Sequence, residues 1–124
     1  MLNKMMMDLF YYPKNTGRIS KPDGIADLYN DDDSQHVEFS IRVDSGIIVD
    51  CKFRAQATPY ITAICAKKTE MVQGKMISMF FLDPYTIKKS LEDDSDTNID
   101  FCIECMRLAI SDYKEKLAKS DNKI

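Results

Sequence analysis

From Val37 onward the chain alternates. Val37, Phe39, Ile41 and Val43 are apolar while Glu38, Ser40 and Arg42 are polar, the period of a strand with one covered face. Asp44-Ser45-Gly46 interrupts the run as a tight turn. Ile47, Val49, Cys51 and Phe53 then alternate with Ile48, Asp50, Lys52 and Arg54. The pattern predicts a β-hairpin over 37–43 and 46–54, with Ile47, Val49, Cys51 and Phe53 on its apolar face. At Thr58-Pro59 the period becomes helical, with Ile61, Ile64, Cys65, Lys68, Met71 and Val72 along one stripe. Thr58 suits an N-cap, Pro59 the first helical position and Gly74 the C-terminal stop, so a helix is predicted over 59–73.

The flanks carry weaker patterns. Leu2, Met5, Met6, Leu9 and Phe10 predict a short N-terminal helix that Pro13 and Gly17 end. Residues 13–33 hold Pro13, Gly17, Pro22, Gly24 and the run Asp31-Asp32-Asp33, and read as an irregular connector lying across a functional surface. Met76 to Leu82 is short and apolar, a strand or a buried helical turn. Asp83-Pro84 starts a short helix to about Leu91, and Glu92 to Asp96 form an acidic loop. A last helix is predicted over 98–118, where Ile99, Cys102, Ile103, Met106, Ile110, Tyr113 and Leu117 make one stripe capped by Thr97 or Asn98. The fold class expected is α+β, a small antiparallel sheet covered by helices.

Composition narrows the function classes. The 124 residues, 44% of them hydrophobic, suffice for a single domain over 1–124 with a core that needs no disulfide or metal. A net charge of −3 with scattered Lys and Arg argues against nucleic acid as a partner. Met1 to Phe10 includes Lys4 and Asp8 and fits neither a signal peptide nor a membrane span, so a cytoplasmic location is expected. The lone His36 lacks a nucleophile at a recognisable spacing, and Gly74-Lys75 has no preceding glycines to cradle phosphate. No enzymatic activity is expected. Cys51, Cys65, Cys102 and Cys105 all fall in apolar patterns. Cys102 and Cys105 are one helical turn apart and could share an ion, but the other two lie on separate core faces, so the four are read as small buried hydrophobes.

Several stretches together carry a family resemblance. Tyr12-Pro13-Lys14-Asn15-Thr16-Gly17 is similar to the opening motif of the IscU/NifU-type iron-sulfur cluster assembly scaffolds. Val37 to Phe53 resembles that family's hairpin, Phe53 to Lys75 its strand, ligand loop and helix ending in Glu70, Gly74 and Lys75, and Ala109 to Tyr113 its C-terminal helix. The resemblance implies a scaffold that holds a nascent iron-sulfur cluster, or zinc or iron, on three cysteines and an aspartate. At those places this chain has Asp33, Thr58 and Asn98 for the cysteines and Gln35 for the aspartate, with His36 and Asp32 nearby. The segment by which the family meets its chaperone is replaced by Glu92 to Asp96.

Two roles follow. The chain keeps the scaffold fold as a binding or regulatory module without its own cluster, meeting a cysteine desulfurase or another scaffold protein. Alternatively it is an active scaffold or metal-binding protein whose site is rearranged or completed by a partner. Asp33, Gln35, Thr58 and Asn98 are hard donors, suited to an oxygen-preferring cation and not to iron-sulfur chemistry.

Overall fold

A computed structural model describes residues 4–80 and 97–121. In chain order these form α1 (Lys4–Tyr11), β1 (Gly24–Tyr29), β2 (His36–Asp44), β3 (Ile47–Gln56), α2 (Pro59–Val72), a 3-10 turn (Ile77–Phe80) and α3 (Thr97–Asp121). The expected helix from Asp83 and the acidic loop Glu92 to Asp96 lie outside the described residues. The strands make one antiparallel sheet in the order β1-β2-β3. The α+β architecture expected from the sequence is thus observed, and the predicted strands and helices that fall on the described residues end within a few residues of the observed ones.

The hairpin is right in place and wrong in one face. Ser45 and Gly46 both have positive φ, 52° and 78°, as a two-residue hairpin loop requires. Pairing runs Arg42 with Asp50 and then Val43 with Ile48, so Val49 is an extra residue without a partner. This β-bulge inverts the facing beyond it. Ile48, Cys51 and Phe53 point into the core, whereas Ile47 and Val49 are 39% and 46% exposed.

The expected connector over 13–33 is corrected more substantially, because it contains β1. Gly24 to Tyr29 pairs with Ile41 back to His36. Its first residue has to be small: a Cβ on Gly24 would stand 2.4 Å from the carbonyl oxygen of Ala109 and 2.9 Å from Tyr113 Cβ, so β1 and α3 meet here backbone to helix. The rest of the connector is a strap. Asn15 and Gly17 bond the backbone of Phe53 on the far edge of β3, and Asp23 reaches Ile41 on β2. Between them the chain crosses the outer face of β2. Arg18 grips buried Glu38 through two hydrogen bonds of 2.9 and 2.6 Å, and the Ile19 N–H donates to Ser40 Oγ at 3.1 Å. Glu38 and Ser40 are polar because their partners are on this strap, not in water.

The core lies on the other face of the sheet. Val37, Phe39, Ile41, Cys51 and Phe53 meet Ile61, Cys65 and Val72 of α2 and Cys102, Met106 and Ile110 of α3. Burying one such aliphatic or aromatic side chain contributes roughly 1.5–3 kcal/mol. Lys68 lies on the predicted apolar stripe of α2 and is buried with it, its Nζ 3.8 Å from Met71 Sδ. Met76 to Leu82, left open between strand and helix, is a 3-10 turn over Ile77–Phe80.

Both sheet edges are occupied. On β3, Ile48 N–H donates to Lys75 O, Gly74 N–H donates back to Ile48 O, and the Gln73 side chain donates to Cys51 O at 3.1 Å. On β1, Ile25 N–H donates to Asp112 Oδ2 of α3 at 3.0 Å, and the Cys105 thiol leans on Ala26 O.

Candidate functional site

The connection between β1 and β2 brings two distant parts of the chain together. Asn30 organises it. The Asn30 N–H donates to Gln35 O, its Oδ1 accepts from Gln35 N–H at 2.9 Å, its Nδ2 donates to Ser34 Oγ, and its own carbonyl accepts from Asp33 N–H. Asp32 Oδ1 accepts from Ser34 N–H at 3.0 Å, and the Ser34 hydroxyl and N–H hold the Asp32 carboxyl below its ordinary pKa. Asp33 carries the left-handed backbone of the turn, φ 59°, a conformation that Asp tolerates.

Held in this way, Gln35 reaches the start of α2. Its Oε1 accepts from Thr58 N–H at 3.0 Å, and Thr58 Oγ1 accepts from Ile61 N–H at 3.3 Å. Pro59 has no N–H to satisfy at the first helical position, and Thr62 N–H bonds Thr58 O. Thr58 therefore works as the cap that the sequence predicts, and Gln35 as a second cap from another element.

Of the residues expected to form a site, Gln35 and Thr58 are in direct contact. Asp33 is exposed two residues from Gln35 in the same turn. Asn98 lies in the first turn of α3, one residue inside the helix and not at its cap, and its side chain is outside the described ones. His36 turns away from this group. Its Nε2 is 2.9 Å from Asp27 Oδ2 and its ring stacks on Tyr29 with centroids 4.2 Å apart, facing Arg18, Glu38 and Arg54 across the outer side of the sheet. Asn30 is the residue that sequence reading missed. An Asn between an apolar run and Asp-Asp-Asp-Ser was its only signal, and it marks a strand-to-strand turn.

Beside the turn lies a groove of about 580 Å³. Leu28, Ile61 and Phe101 give it apolar walls, and Asp31, Asp32, Asp100 and Glu104 stand around it with Gln35.

The cysteines are elsewhere. All four are fully buried. Cys65 Sγ and Cys102 Sγ touch at 3.4 Å, and Cys105 donates to Ala26 O and Val37 O at 3.5 and 3.6 Å. Burial pushes the Cys51 and Cys105 thiols up, and the adjacent Cys102 thiol together with burial does the same for Cys65. Such thiols resist ionisation, whereas a metal or persulfide site needs thiolates. Among the described residues, no three His, Cys, Asp or Glu converge where they could hold a metal ion. Gln35 and Thr58, spent on backbone N–H groups at the start of α2, and thiols sealed in the core do not fit an iron-sulfur cluster.

Comparison with known proteins bears on the fold. The family model for the NifU-like N terminal domain matches residues 1–120. A nitrogen-fixing NifU-like protein (N-terminal) from Brucella abortus has a similar structure, with a TM-score of 0.61 at 14% identity, covering 98% of this chain and 95% of that one. A second similar structure, described as an iron-sulfur cluster assembly scaffold protein for the SUF system, comes from Fervidobacterium islandicum AW-1. Its TM-score is 0.58 at 16% identity, covering 92% of this chain and 94% of that one. Among curated proteins no sequence matches. No helix among the described residues is long and apolar enough to cross a membrane.

Proposed function

The chain belongs to the NifU-like N-terminal domain family, and we propose that it serves iron-sulfur cluster assembly as a binding or regulatory module that carries no cluster of its own. The observation that carries this reading is the use made of positions 35 and 58. Where the resemblance calls for an aspartate and a cysteine, Gln35 and Thr58 spend their oxygens on backbone N–H groups at the start of α2. A thiolate there would be nucleophilic toward persulfide sulfur and soft enough for iron; a hydroxyl and an amide are neither. The structural half of the site is kept and its chemistry is absent.

A scaffold fold without ligands still presents the surfaces by which scaffolds meet other proteins. The partners proposed are a cysteine desulfurase or a cysteine-bearing scaffold. Anaerobic reconstitution with iron, sulfide and a desulfurase tests the reading, followed by the visible absorption spectrum and metal analysis. The expected result is no stoichiometric chromophore, together with co-purification of the desulfurase. A cluster bound one per chain would refute it, and so would failure to retain either partner.

A further inference from the structure

We propose that the groove between the β1–β2 turn and the start of α3 docks a lysine- or arginine-bearing protein segment through an apolar anchor. Charge selects the occupant. Asp31, Asp32, Asp100 and Glu104 line the groove, and among the described residues that line it none is cationic. Two further grooves carry both signs: Arg18, Arg54 and Glu38 in one, Lys4, Lys14, Asp8 and Glu70 in the other. Glu104 is gripped by Arg107 at 3.0 and 2.6 Å and is partly neutralised, so the exposed Asp31 and Asp32 of the turn carry the charge argument.

The apolar part gives the segment something to hold. Phe101 and Leu28 are half-buried, and Ile61 closes the floor. An uncharged anchor alone would bind here weakly and without orientation, and a cation alone would be screened. Lysine or arginine beside a leucine or aromatic residue satisfies both parts. Asn30 and Gln35 hold the acidic turn against α2, so the rim is ordered before any partner arrives and little ordering entropy opposes binding.

The inference names the partner-facing surface of the module proposed above and rests on that reading for its biology. It is tested without a desulfurase. A fluorescein-labelled peptide in which lysines flank a leucine-phenylalanine pair is titrated by anisotropy, beside the same peptide with glutamate for lysine. The lysine peptide should bind and the glutamate peptide should not. Asp31→Lys with Asp32→Lys, both exposed, should weaken binding about tenfold, and added salt should weaken it too. Phe101→Ser should weaken it at unchanged salt dependence. Because Phe101 also packs on the core, circular dichroism checks its fold and the loop variant stands independently. Asp44→Lys with Glu115→Lys, outside the groove, should leave affinity unchanged.

Equal binding of both peptides, no binding, or equal losses in the groove and control variants would overturn the proposal. Desulfurase capture that survives the Asp31 and Asp32 reversals, with no peptide binding, would overturn the groove and leave the module standing. Peptide binding lost only in the groove variants, with no desulfurase retained, would do the reverse.

Discussion

Replacing Thr58 with cysteine restores a thiol to the start of α2 and measures what that position can do. The N-cap backbone, φ −62° and ψ 158°, is open to any L residue. The new sulfur would sit where Oγ1 now accepts from Ile61 N–H at 3.3 Å. Two effects follow with opposite signs. Sulfur accepts poorly, so part of the cap is lost, about 1 kcal/mol of stability at neutral pH. The helix N-terminus favours the thiolate by about 0.3–1 kcal/mol at an exposed position, which is roughly 0.2–0.7 pKa unit at about 1.4 kcal/mol per unit. The nearby carboxylates of the acidic turn oppose this, so an apparent pKa near 8, about half a unit below that of a free cysteine, is expected.

Because the four native cysteines are fully buried, the rate of iodoacetamide alkylation against pH reads the introduced thiol alone. Its pKa is lowered on folding, so its stabilisation is present above the unfolded value and lost as pH falls through the folded one. The stability penalty of Thr58→Cys should therefore shrink as pH rises through about 8 and level off above about 8.5. A pKa equal to or above that of the same thiol in a short peptide of the local sequence would refute the assignment of position 58 as an electropositive helix start. Rapid alkylation of the unsubstituted protein would refute the burial on which the assay depends.

Other substitutions probe the frame around that site. Gly24→Ala forces a methyl group against the Ala109 carbonyl and should cost about 1–3 kcal/mol or more in urea unfolding, a midpoint equal to wild type counting against the close approach of β1 and α3. Gln35→Ala removes the acceptor of Thr58 N–H, and hydrogen exchange at that amide should quicken about tenfold while the interior of α2 is unaffected. Arg18→Met should lower the urea midpoint more than Arg54→Met, since only Arg18 ties the strap to buried Glu38. The raised thiols of Cys51, Cys65 and Cys105 stabilise the fold fully below the unfolded thiol pKa of about 8.5 and progressively less above it. Stability should fall from pH 8.5 to 10, and Cys51→Ala should reduce the slope by up to about 1.4 kcal/mol per pH unit.

Local signals were readable where one residue type had one meaning. The Ser45-Gly46 turn and the Thr58-Pro59 helix start satisfy backbone demands that few residues meet, and both are found as predicted. The bulge was illegible because Ile47, Ile48 and Val49 are all apolar, so either face reads as the inner one until the pairing is known. Gly24 and Ala26 hid β1, since the helix packed on that strand leaves no room for the bulky residues that usually announce one. Gln35 and Thr58 are 23 residues apart, and no periodicity relates them. The candidate site was legible as a set of substitutions and not as geometry: the sequence located Thr58, but only the fold connects it to Gln35 and turns His36 to the other side of the sheet.

The occupied margins of the sheet restrict how this protein can associate. With Asn15, Gly17, Gln73, Gly74 and Lys75 spending their polar groups along β3, that strand offers no continuous row of amides to an incoming strand among the described residues. Along β3 this disfavours strand exchange between copies, fibril templating and recruitment by β-augmentation. A partner that adds no strand gains no sequence-blind main-chain bonds, and has to be chosen by side chains alone. Partner choice is therefore open to change by single surface substitutions, while the main chain of the sheet remains as it is.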